Sequence, residues 1–277
     1  MDFSLFPVFT DLERRLPVYI THIGGWINQS YIERTEGHVD YQWLQVTSGS
    51  GFLQADGREK TLGPGQGMLL MPGEQHAYGP LQEPWGVKWV AFNGSLVRNL
   101  LEDLGLLRTE VFYLANPDTT FKHLQEMLSL LQSPHPTTGL ELSTVSYRLL
   151  LDIYRYGSRT ELRSRKHQMD ALSPVIHYME ENYSRTITLA ELAALLGVTP
   201  QHICVLFQQA LGARPIEYLT RIRIHKAKEL LLQRPDTEIK TIAAQVGYEH
   251  TSYFIKLFKL QEGLTPVMFR RIHLSQL

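Results

Sequence analysis

The sequence predicts an α+β protein with a β-rich N-terminal part and an all-α C-terminal part. Residues 1–94 contain short apolar segments separated by Gly and Pro turns, which is typical of β-sandwiches and barrels. The last hundred residues instead show helical periodicity, and one two-helix motif occurs there twice. A polar, charged stretch at residues 158–170 separates the two parts and is predicted to be a linker.

Turn signals divide the β-rich part into short strands. Asp56 and Gly57 form a strong hairpin signal, and Gly-Pro-Gly at residues 63–65 and Pro-Gly at residues 72–73 mark further turns. Closely spaced strands of this kind form a sandwich or a jelly-roll barrel, and such barrels enclose ligand cavities. We therefore expect a β-barrel with a binding cavity within residues 1–94.

Three helices are predicted between the β-rich part and the linker: residues 95–107, 118–131 and 140–156. An apolar stripe with helical spacing runs along the third of them. Its members are Leu142, Val145, Leu149 and Ile153. The stripe could pair with the same helix of a second chain, or it could pack against its own barrel. The predicted domains are a ligand-binding and dimerisation domain at 1–157, the linker, and an all-α domain at 171–277.

The two copies of the C-terminal motif lie about fifty residues apart and align closely, with one extra residue after the turn of the second copy. The matched pairs are Ala193 with Ala243, Gly197 with Gly247, Phe207 with Phe258, Gly212 with Gly263, and Pro215 with Pro266. A small residue allows two helices to cross closely, and Gly supplies the backbone freedom of the turn. Each copy is therefore predicted to be a helix-turn-helix.

The second helix of each copy has an apolar face and a polar face. The apolar positions are Ile203, Leu206 and Phe207 in the first copy and Phe254, Leu257 and Phe258 in the second. The other face could enter a DNA major groove, or it could be merely solvated. Its residues are Gln201, Cys204, Val205 and Gln208, and then Thr251, Ser252, Ile255, Lys256 and Lys259. A helix at residues 216–233 would hold the two copies about one turn of DNA, roughly 34 Å, apart.

Composition limits the classes of protein to consider. The chain has 277 residues, 43% of them hydrophobic, and a net charge of −1. Residues 1–165 carry 14 Lys and Arg against 18 Asp and Glu, whereas the remainder carries 13 against 10, which suits a sensor joined to a DNA-binding domain. The single cysteine, Cys204, excludes an internal disulfide and fits a cytoplasmic protein. No membrane span is expected, because no apolar run reaches 18 residues. No signal peptide is expected, because the N-terminus lacks a basic stretch followed by an apolar one.

The C-terminal part resembles the DNA-binding domain of the AraC/XylS family of bacterial transcription regulators. The resemblance covers about residues 175–272 and is carried above all by IAAQVGYEHTSYFIKLFKLQEGLTPVMFR. The first recognition helix of the family often carries a basic residue where this chain has Val205. The second helix, with Lys256 and Lys259, is therefore expected to be an equal or better anchor, Lys259 as a phosphate contact.

The N-terminal part resembles the cupin-like, sugar-binding β-barrel of many AraC-type regulators. The resemblance is carried by residues 34–41, by GSGFLQADGREKTLGPGQGMLLMPGEQHAYGP and by WGVKWVAFNG. It implies a sugar pocket at Arg34, Tyr78 and Trp89, closed by an N-terminal arm around Pro7. His76, Trp26 and Trp43 are further candidates, and a polar contact of the relatives falls on Val87. These assignments have structural alternatives: Trp89 as core, His76 as an ordinary turn residue, and Arg34 paired with a surface Glu.

The resemblance implies a regulator that is not an enzyme and needs no cofactor. The metal ligands of cupin enzymes are not matched beyond His76, so neither a metal site nor catalytic residues are expected. A sugar would shift a homodimer between two arrangements on an operator in double-stranded DNA and so control recruitment of RNA polymerase. Two alternatives stay open: a non-sugar effector, and an effector-independent regulator whose barrel is only a dimerisation scaffold.

Overall fold

The computed structural model describes residues 2–133, 135–159 and 165–274. The chain divides after Lys166 into two compact units. This division falls inside the predicted linker, of which residues 160–164 lie outside the described residues. A helix already begins at Arg165, so the C-terminal unit starts before the predicted domain boundary. Among the described residues, no single helix is long and apolar enough to cross a membrane.

In the described part of the N-terminal unit, nine strands form one sheet. They are β1 (Phe3–Leu5), β2 (Tyr19–Trp26), β3 (Ile32–Arg34), β4 (Tyr41–Ala55), β5 (Arg58–Leu62), β6 (Gln66–Leu70), β7 (His76–Asn93), β8 (Glu110–Leu114) and β9 (Gly157–Ser158). Their hydrogen-bonded order is β1-β2-β7-β4-β6-β8-β9, with β3 added to β7 and β5 added to β4. The strand pairs are antiparallel.

The sheet bends because its two central strands are long and irregular. Strands β4 and β7 pair over most of their length, with register shifts between Val46 and Gly51. One half of this pair is flanked by β2 and β6, and the other half by β3 and β5. The β4–β5 hairpin turns at Asp56 and Gly57, both with positive φ, which confirms the predicted hairpin.

The bent sheet has two faces, each with its own hydrophobic cluster. The inner face is defined by Leu44, Val46, Leu53, Leu62, Met68, Leu70, Tyr78, Trp85, Val87, Trp89 and Val111. The outer face carries the alternate residues of the same strands, such as Trp43, Leu69 and Val90, and these pack against helices. Side chains alternate between the two faces along a strand, and a bulge shifts this alternation by one residue. The face of a residue therefore depends on its position in the strand relative to the nearest bulge.

Three helices cover the outer face: α1 (Val97–Asp103), α2 (Pro117–Gln132) and α3 (Thr138–Tyr156). They confirm the three predicted helices, although α1 is shorter than expected. The apolar stripe of α3 is buried in the outer cluster of its own domain. Of the two roles left open for that stripe, packing on its own sheet is the one observed. Strands β8 and β9 lie within residues 95–158 and were not predicted.

The C-terminal unit is all-α, as predicted. Its helices are α4 (Arg165–Asn182), α5 (Leu189–Leu195), α6 (Pro200–Leu211), α7 (Pro215–Gln233), α8 (Ile239–Gln245), α9 (Thr251–Glu262) and α10 (Pro266–Leu274). One hydrophobic cluster surrounds α5 and α6, and a second surrounds α8 and α9. Helix α7 contributes Leu219 to the first cluster and Ala227 to the second, so it joins the two motifs rigidly.

Candidate ligand pocket and nucleic-acid interface

Helices α5 and α6 form the first helix-turn-helix and are bent by 77° at the turn. Gly197 occupies the left-handed region at φ 63°, which glycine adopts without steric cost. The Val198 amide donates to the Ala193 carbonyl at 3.1 Å and closes the turn. Thr199 caps α6 by accepting the His202 amide at 3.2 Å. The turn and the cap fix the direction in which α6 leaves the motif.

Helices α8 and α9 repeat this geometry. Gly247 has φ 86°, and the Tyr248 amide donates to the Ala243 carbonyl at 2.9 Å. A Cβ at Gly247 would lie 2.6 Å from the Tyr183 carbonyl oxygen, so this turn also needs glycine for space. Ala193 and Ala243 are both buried, which fits the close helix crossing predicted for them.

Arg223 on α7 lies beside the turn at Gly247. Its Nε donates to the Tyr183 carbonyl and its Nη2 to the Arg185 carbonyl, both at 2.8 Å, and its guanidinium lies 5.2 Å from the Tyr248 ring centre. Burial lowers its pKa. These contacts give it a structural role, whereas Arg221 on the same helix is exposed.

The predicted DNA-facing residues differ in exposure. The exposed ones are Gln201, Val205, Gln208, Ser252, Lys256 and Lys259. The half-buried ones are Cys204, Thr251 and Ile255. Ile255 packs against the second hydrophobic cluster of the unit. The core assignment is confirmed for Ile203, Phe207, Phe254 and Phe258, which are fully buried, while Leu206 and Leu257 are partly buried.

Sequence reasoning missed two exposed residues near the start of the recognition helices. His202 is the third residue of α6, and Tyr253 is the third residue of α9 with 55% of its surface exposed. The N-terminal residues of a recognition helix are those that reach base edges. The two positions match each other in the repeat, which was the signal that could have found them.

A cluster of polar side chains on the inner face, called the polar group below, surrounds Arg34, which lies at the end of β3. Its Nη1 donates to the Gln42 side chain at 3.3 Å, and Gln42 is buried on β4. Arg34 is also paired across strands with His76. The Arg34 charge acts on Tyr78, whose pKa is raised by burial and lowered in part by that charge. The structure therefore brings together three of the predicted ligand residues: Arg34, His76 and Tyr78.

His76 has an unusual hydrogen-bonding state. It is buried, its Nδ1 donates to the Glu74 carbonyl at 2.7 Å, and its ring stacks on Tyr78 with centroids 6.0 Å apart. Its Nε2 is buried with no hydrogen-bond partner among the described residues. With the proton on Nδ1, the free Nε2 is an acceptor, and a buried acceptor without a donor is costly. This atom is suited to accept a hydroxyl of a bound molecule.

Trp89 lies on the same inner face, over a glycine of the neighbouring strand. It is paired with Gly24, and a Cβ added there would lie 2.1 Å from the Trp89 ring. The indole Nε1 donates to His22 Nδ1 at 3.4 Å. The ring centroids of His22 and Trp26 lie 5.6 and 5.8 Å from that of Trp89. Trp89 is 7% exposed within the inner cluster, and it borders the polar group.

Two predicted ligand residues are placed elsewhere. Trp43 belongs to the outer face and packs against Phe112 at 6.3 Å, so its candidacy was wrong. Pro7 lines a separate apolar cavity of about 330 Å³ between the N-terminal arm and helices α2 and α3. Phe6 of the arm does reach the inner face, where its ring stacks on His22 with centroids 4.1 Å apart.

A polar cavity of about 730 Å³ opens at one end of the sheet. His76 lines it together with the β4–β5 turn and the segment before β8. Ligand pockets for small molecules have volumes of about 300–1,000 Å³. The size of this opening therefore suits a small-molecule ligand.

Sequence reasoning missed His22 and Gln42, which join the inner polar group. Both lie on the same face as Trp89 by strand pairing, since His22 is opposite Ala91 and Gln42 is also opposite Ala91. Alternation along β2 and β4 could have pointed to them once the register was known. His38 belongs to the same electrostatic group, because its charge acts on both His22 and His76.

Three histidines in and around the polar group have lowered pKa values. Burial lowers the pKa of His22, His38 and His76 below the ordinary 6.5, and the nearby Arg34 charge lowers each further. The unfolded chain therefore binds protons more readily than the native domain. Native stability from these groups is present above pH 6.5 and is lost as the pH falls below it.

We expect the unfolding free energy of the N-terminal unit to decrease as the pH is lowered from above 6.5 to below it. The change His76→Gln removes one titrating group and should reduce that decrease. Urea unfolding at several pH values measures both effects. An identical pH dependence in the parent and in His76→Gln would contradict the assignment.

Within the described ranges, no group of three or more His, Cys, Asp or Glu side chains is placed to hold a metal ion. The inner polar group offers hydrogen-bond donors and acceptors beside aromatic rings. This combination suits a polar organic molecule with an apolar face, as a sugar has.

Comparison with known proteins follows the same division of the chain. The family model described as "AraC-like ligand binding domain" matches residues 18–150, and that described as "Helix-turn-helix domain" matches residues 192–272. The lactose operon transcription activator of Staphylococcus xylosus is 29% identical, over 77% of this chain and 77% of its own length. The raffinose operon transcriptional regulatory protein of Pediococcus pentosaceus is 24% identical, over 95% of this chain and 92% of its own length.

Among solved structures, the C-terminal domain of a two-component response regulator from Fusobacterium nucleatum is 32% identical. The match covers 36% of this chain and 98% of that domain, with a TM-score of 0.35.

A ligand-binding β domain joined to two helix-turn-helix motifs defines a DNA-binding transcription regulator. The two family models and the regulators just described give the narrower assignment. The chain belongs to the AraC/XylS family of transcription regulators.

Proposed function

We propose that this regulator senses a sugar on the inner face of its β domain and binds an operator in double-stranded DNA through α6 and α9. The observation that carries the sugar assignment is the buried, unpartnered Nε2 of His76 next to Arg34 and Tyr78. A sugar supplies the hydroxyl that this atom lacks and the oxygens that a guanidinium recognises. Its apolar ring face suits the indole ring of Trp89.

The relatives support a role in carbohydrate utilisation. Their names assign them to lactose and raffinose operons, and one is named an activator. We therefore propose that this chain activates genes for the use of a carbohydrate, by recruiting RNA polymerase in the cytoplasm. We also propose a homodimer. Its interface would use the exposed side of α3, which includes Leu140 and Tyr147, because the apolar stripe is already buried.

A thermal-shift screen against common mono- and oligosaccharides tests the sugar assignment. A ligand that binds only the native state must stabilise it, by about 2.7 kcal/mol at a concentration one hundred times Kd. We expect at least one sugar to raise the melting temperature. The change Arg34→Met should weaken its binding about tenfold, about 1.4 kcal/mol, because the donors to sugar oxygens are lost.

The matched control is Arg98→Met, since Arg98 is exposed on α1, which packs against the outer face of the sheet. It should bind the sugar as the parent does. Stabilisation by no sugar in the screen would contradict the sugar assignment. It would favour a non-sugar effector or an effector-independent scaffold, and would leave the DNA assignment intact.

The DNA assignment predicts that Lys256→Ala weakens operator binding. Lys256 is exposed on the outward side of α9, where a recognition helix faces the groove. We expect a loss of about tenfold in affinity, about 1.4 kcal/mol, for an operator selected from a random DNA library. Affinity should also fall with salt, because phosphate contacts release counterions. Fluorescence anisotropy over a salt series measures both effects.

Lys122→Ala serves as the control, because Lys122 is an exposed lysine on α2 of the other unit. Both variants lose one positive charge, so a local contact is separated from a change in net charge. Equal affinities of Lys256→Ala and the parent at every salt concentration would show that α9 does not bind DNA as assigned.

A further inference from the structure

The inner face is arranged in three successive levels along strands β2, β7 and β4. Antiparallel pairing places residues of one level side by side. The first level holds His22, Ala91 and Gln42, the second Gly24, Trp89 and Leu44, and the third Trp26, Val87 and Val46. Side chains of one face recur every second residue. The three levels therefore lie on the same face as one another.

The levels differ in chemistry. The first is polar, because His22 and Gln42 lie there and Arg34 donates to Gln42. The second is formed by the Trp89 ring over the bare backbone of Gly24. The third is apolar, with Trp26 and two valines. A ligand that spans the face would meet hydrogen-bonding groups at one end and an aromatic ring at the other.

Trp89 and Trp26, on the second and third levels, form a row of aromatic rings that starts beside the polar level. Trp26 is the more exposed of the two. It is 37% exposed, whereas Trp89 is 7% exposed and surrounded by its neighbours. The ring centroids of Trp26 and Trp89 are 5.8 Å apart, with planes inclined by 37°. Single exposed apolar residues are common, but Trp26 continues a row that starts at the polar group.

The distance along the row exceeds one sugar ring. From the first level to the third the chain advances four residues, from His22 to Trp26, which corresponds to roughly 13 Å at about 3.3 Å per residue. One pyranose ring held at the polar level cannot also cover Trp26. Val87 faces Trp26 and offers no polar contact, so the third level suits the apolar face of a second ring.

We propose that Trp26 forms a second sugar subsite and that the effector is a disaccharide or a longer oligosaccharide. One end of the saccharide binds at the polar level, and the ring at its other end stacks on Trp26 across Val87. This proposal rests on the sugar assignment made above and narrows it. Trp26 would be the residue that sets the length of the recognised saccharide.

The test compares saccharides of one and two rings on the full chain by isothermal titration calorimetry. The probes are glucose and galactose, and the disaccharides maltose, cellobiose, lactose and melibiose, which are built from these two sugars. We expect at least one disaccharide to bind at least tenfold more tightly than either monosaccharide. The variant Trp26→Ala should lose that advantage and leave monosaccharide binding unchanged, since only stacking of the second ring is removed.

The matched control is Tyr31→Ala, an exposed aromatic residue of the same domain that packs on Phe52. It should bind each probe as the parent does. A monosaccharide that binds as tightly as the best disaccharide would overturn the second subsite while the sugar assignment stands. The same holds for a disaccharide advantage that survives in Trp26→Ala. Binding of none of the six probes would overturn both the subsite and the sugar assignment.

Discussion

The variant Phe258→Ala should destabilise the C-terminal unit by about 3–5 kcal/mol, as expected for a fully buried phenylalanine in a packed core. Phe258 has no exposed surface and lies between Phe254 and Phe269, with ring centroids 5.8 and 5.6 Å away. Domains are stable by only about 5–15 kcal/mol. The loss therefore removes a large part of the folding free energy of the unit that binds DNA. Chemical denaturation followed by circular dichroism measures it.

Leu260→Ala is the control, two residues further along the same helix. Leu260 is 79% exposed, so its truncation should change stability by less than about 0.5 kcal/mol. Similar losses in the two variants would show that α9 does not bury the face assigned to it. They would also reverse the assignment of its other face to DNA.

The variant Gly24→Ala should abolish the response to the effector while leaving the domain folded. The added Cβ would lie 2.1 Å from the Trp89 ring, a distance that real Cβ atoms do not adopt, so the ring must move. Overpacking of this kind costs about 1–3 kcal/mol of stability. Displacement of Trp89 also breaks the row of rings on the inner face. We expect effector affinity to fall about a hundredfold, about 2.7 kcal/mol, in calorimetric titration.

Gly63→Ala is the control for this change. The nearest heavy atom to a Cβ at Gly63 is 3.7 Å away, which is an ordinary contact, so effector affinity should equal that of the parent. Parental affinity in Gly24→Ala, with the fold intact, would show that the position of Trp89 does not matter for binding. Trp89 would then be only part of the core.

The helix-turn-helix motifs could be predicted from the sequence because every local signal agrees there. Ala193 and Ala243 permit the crossing, and Gly212 and Gly263 end the recognition helices in the left-handed conformation. The apolar spacing fixes which face is buried. Such agreement between propensity, capping and pattern is what makes a segment predictable. Arg223 escaped this reasoning, because its carbonyl partners at Tyr183 and Arg185 are set by tertiary packing.

The ligand pocket was harder to predict, since a strand residue's face depends on register and bulges. Trp43 and Trp89 both lie in apolar strands, and only the pairing of β4 with β7 shows that they face opposite sides. Pro7 follows a short edge strand, and nothing local indicates which cavity it lines. Strand β8 is five residues long, and its position in the sheet comes from pairing with β6.

We expect sugar binding to the β domain to change operator binding by the helical domain. Coupling of this kind is a difference in affinity between two states, and it must be reciprocal. The most direct test is the operator Kd of the full chain with and without the saccharide found by calorimetry, measured in parallel for Gly24→Ala. We predict at least a tenfold change for the parent and none for Gly24→Ala. A parent that binds the saccharide but keeps the same operator Kd would contradict the account.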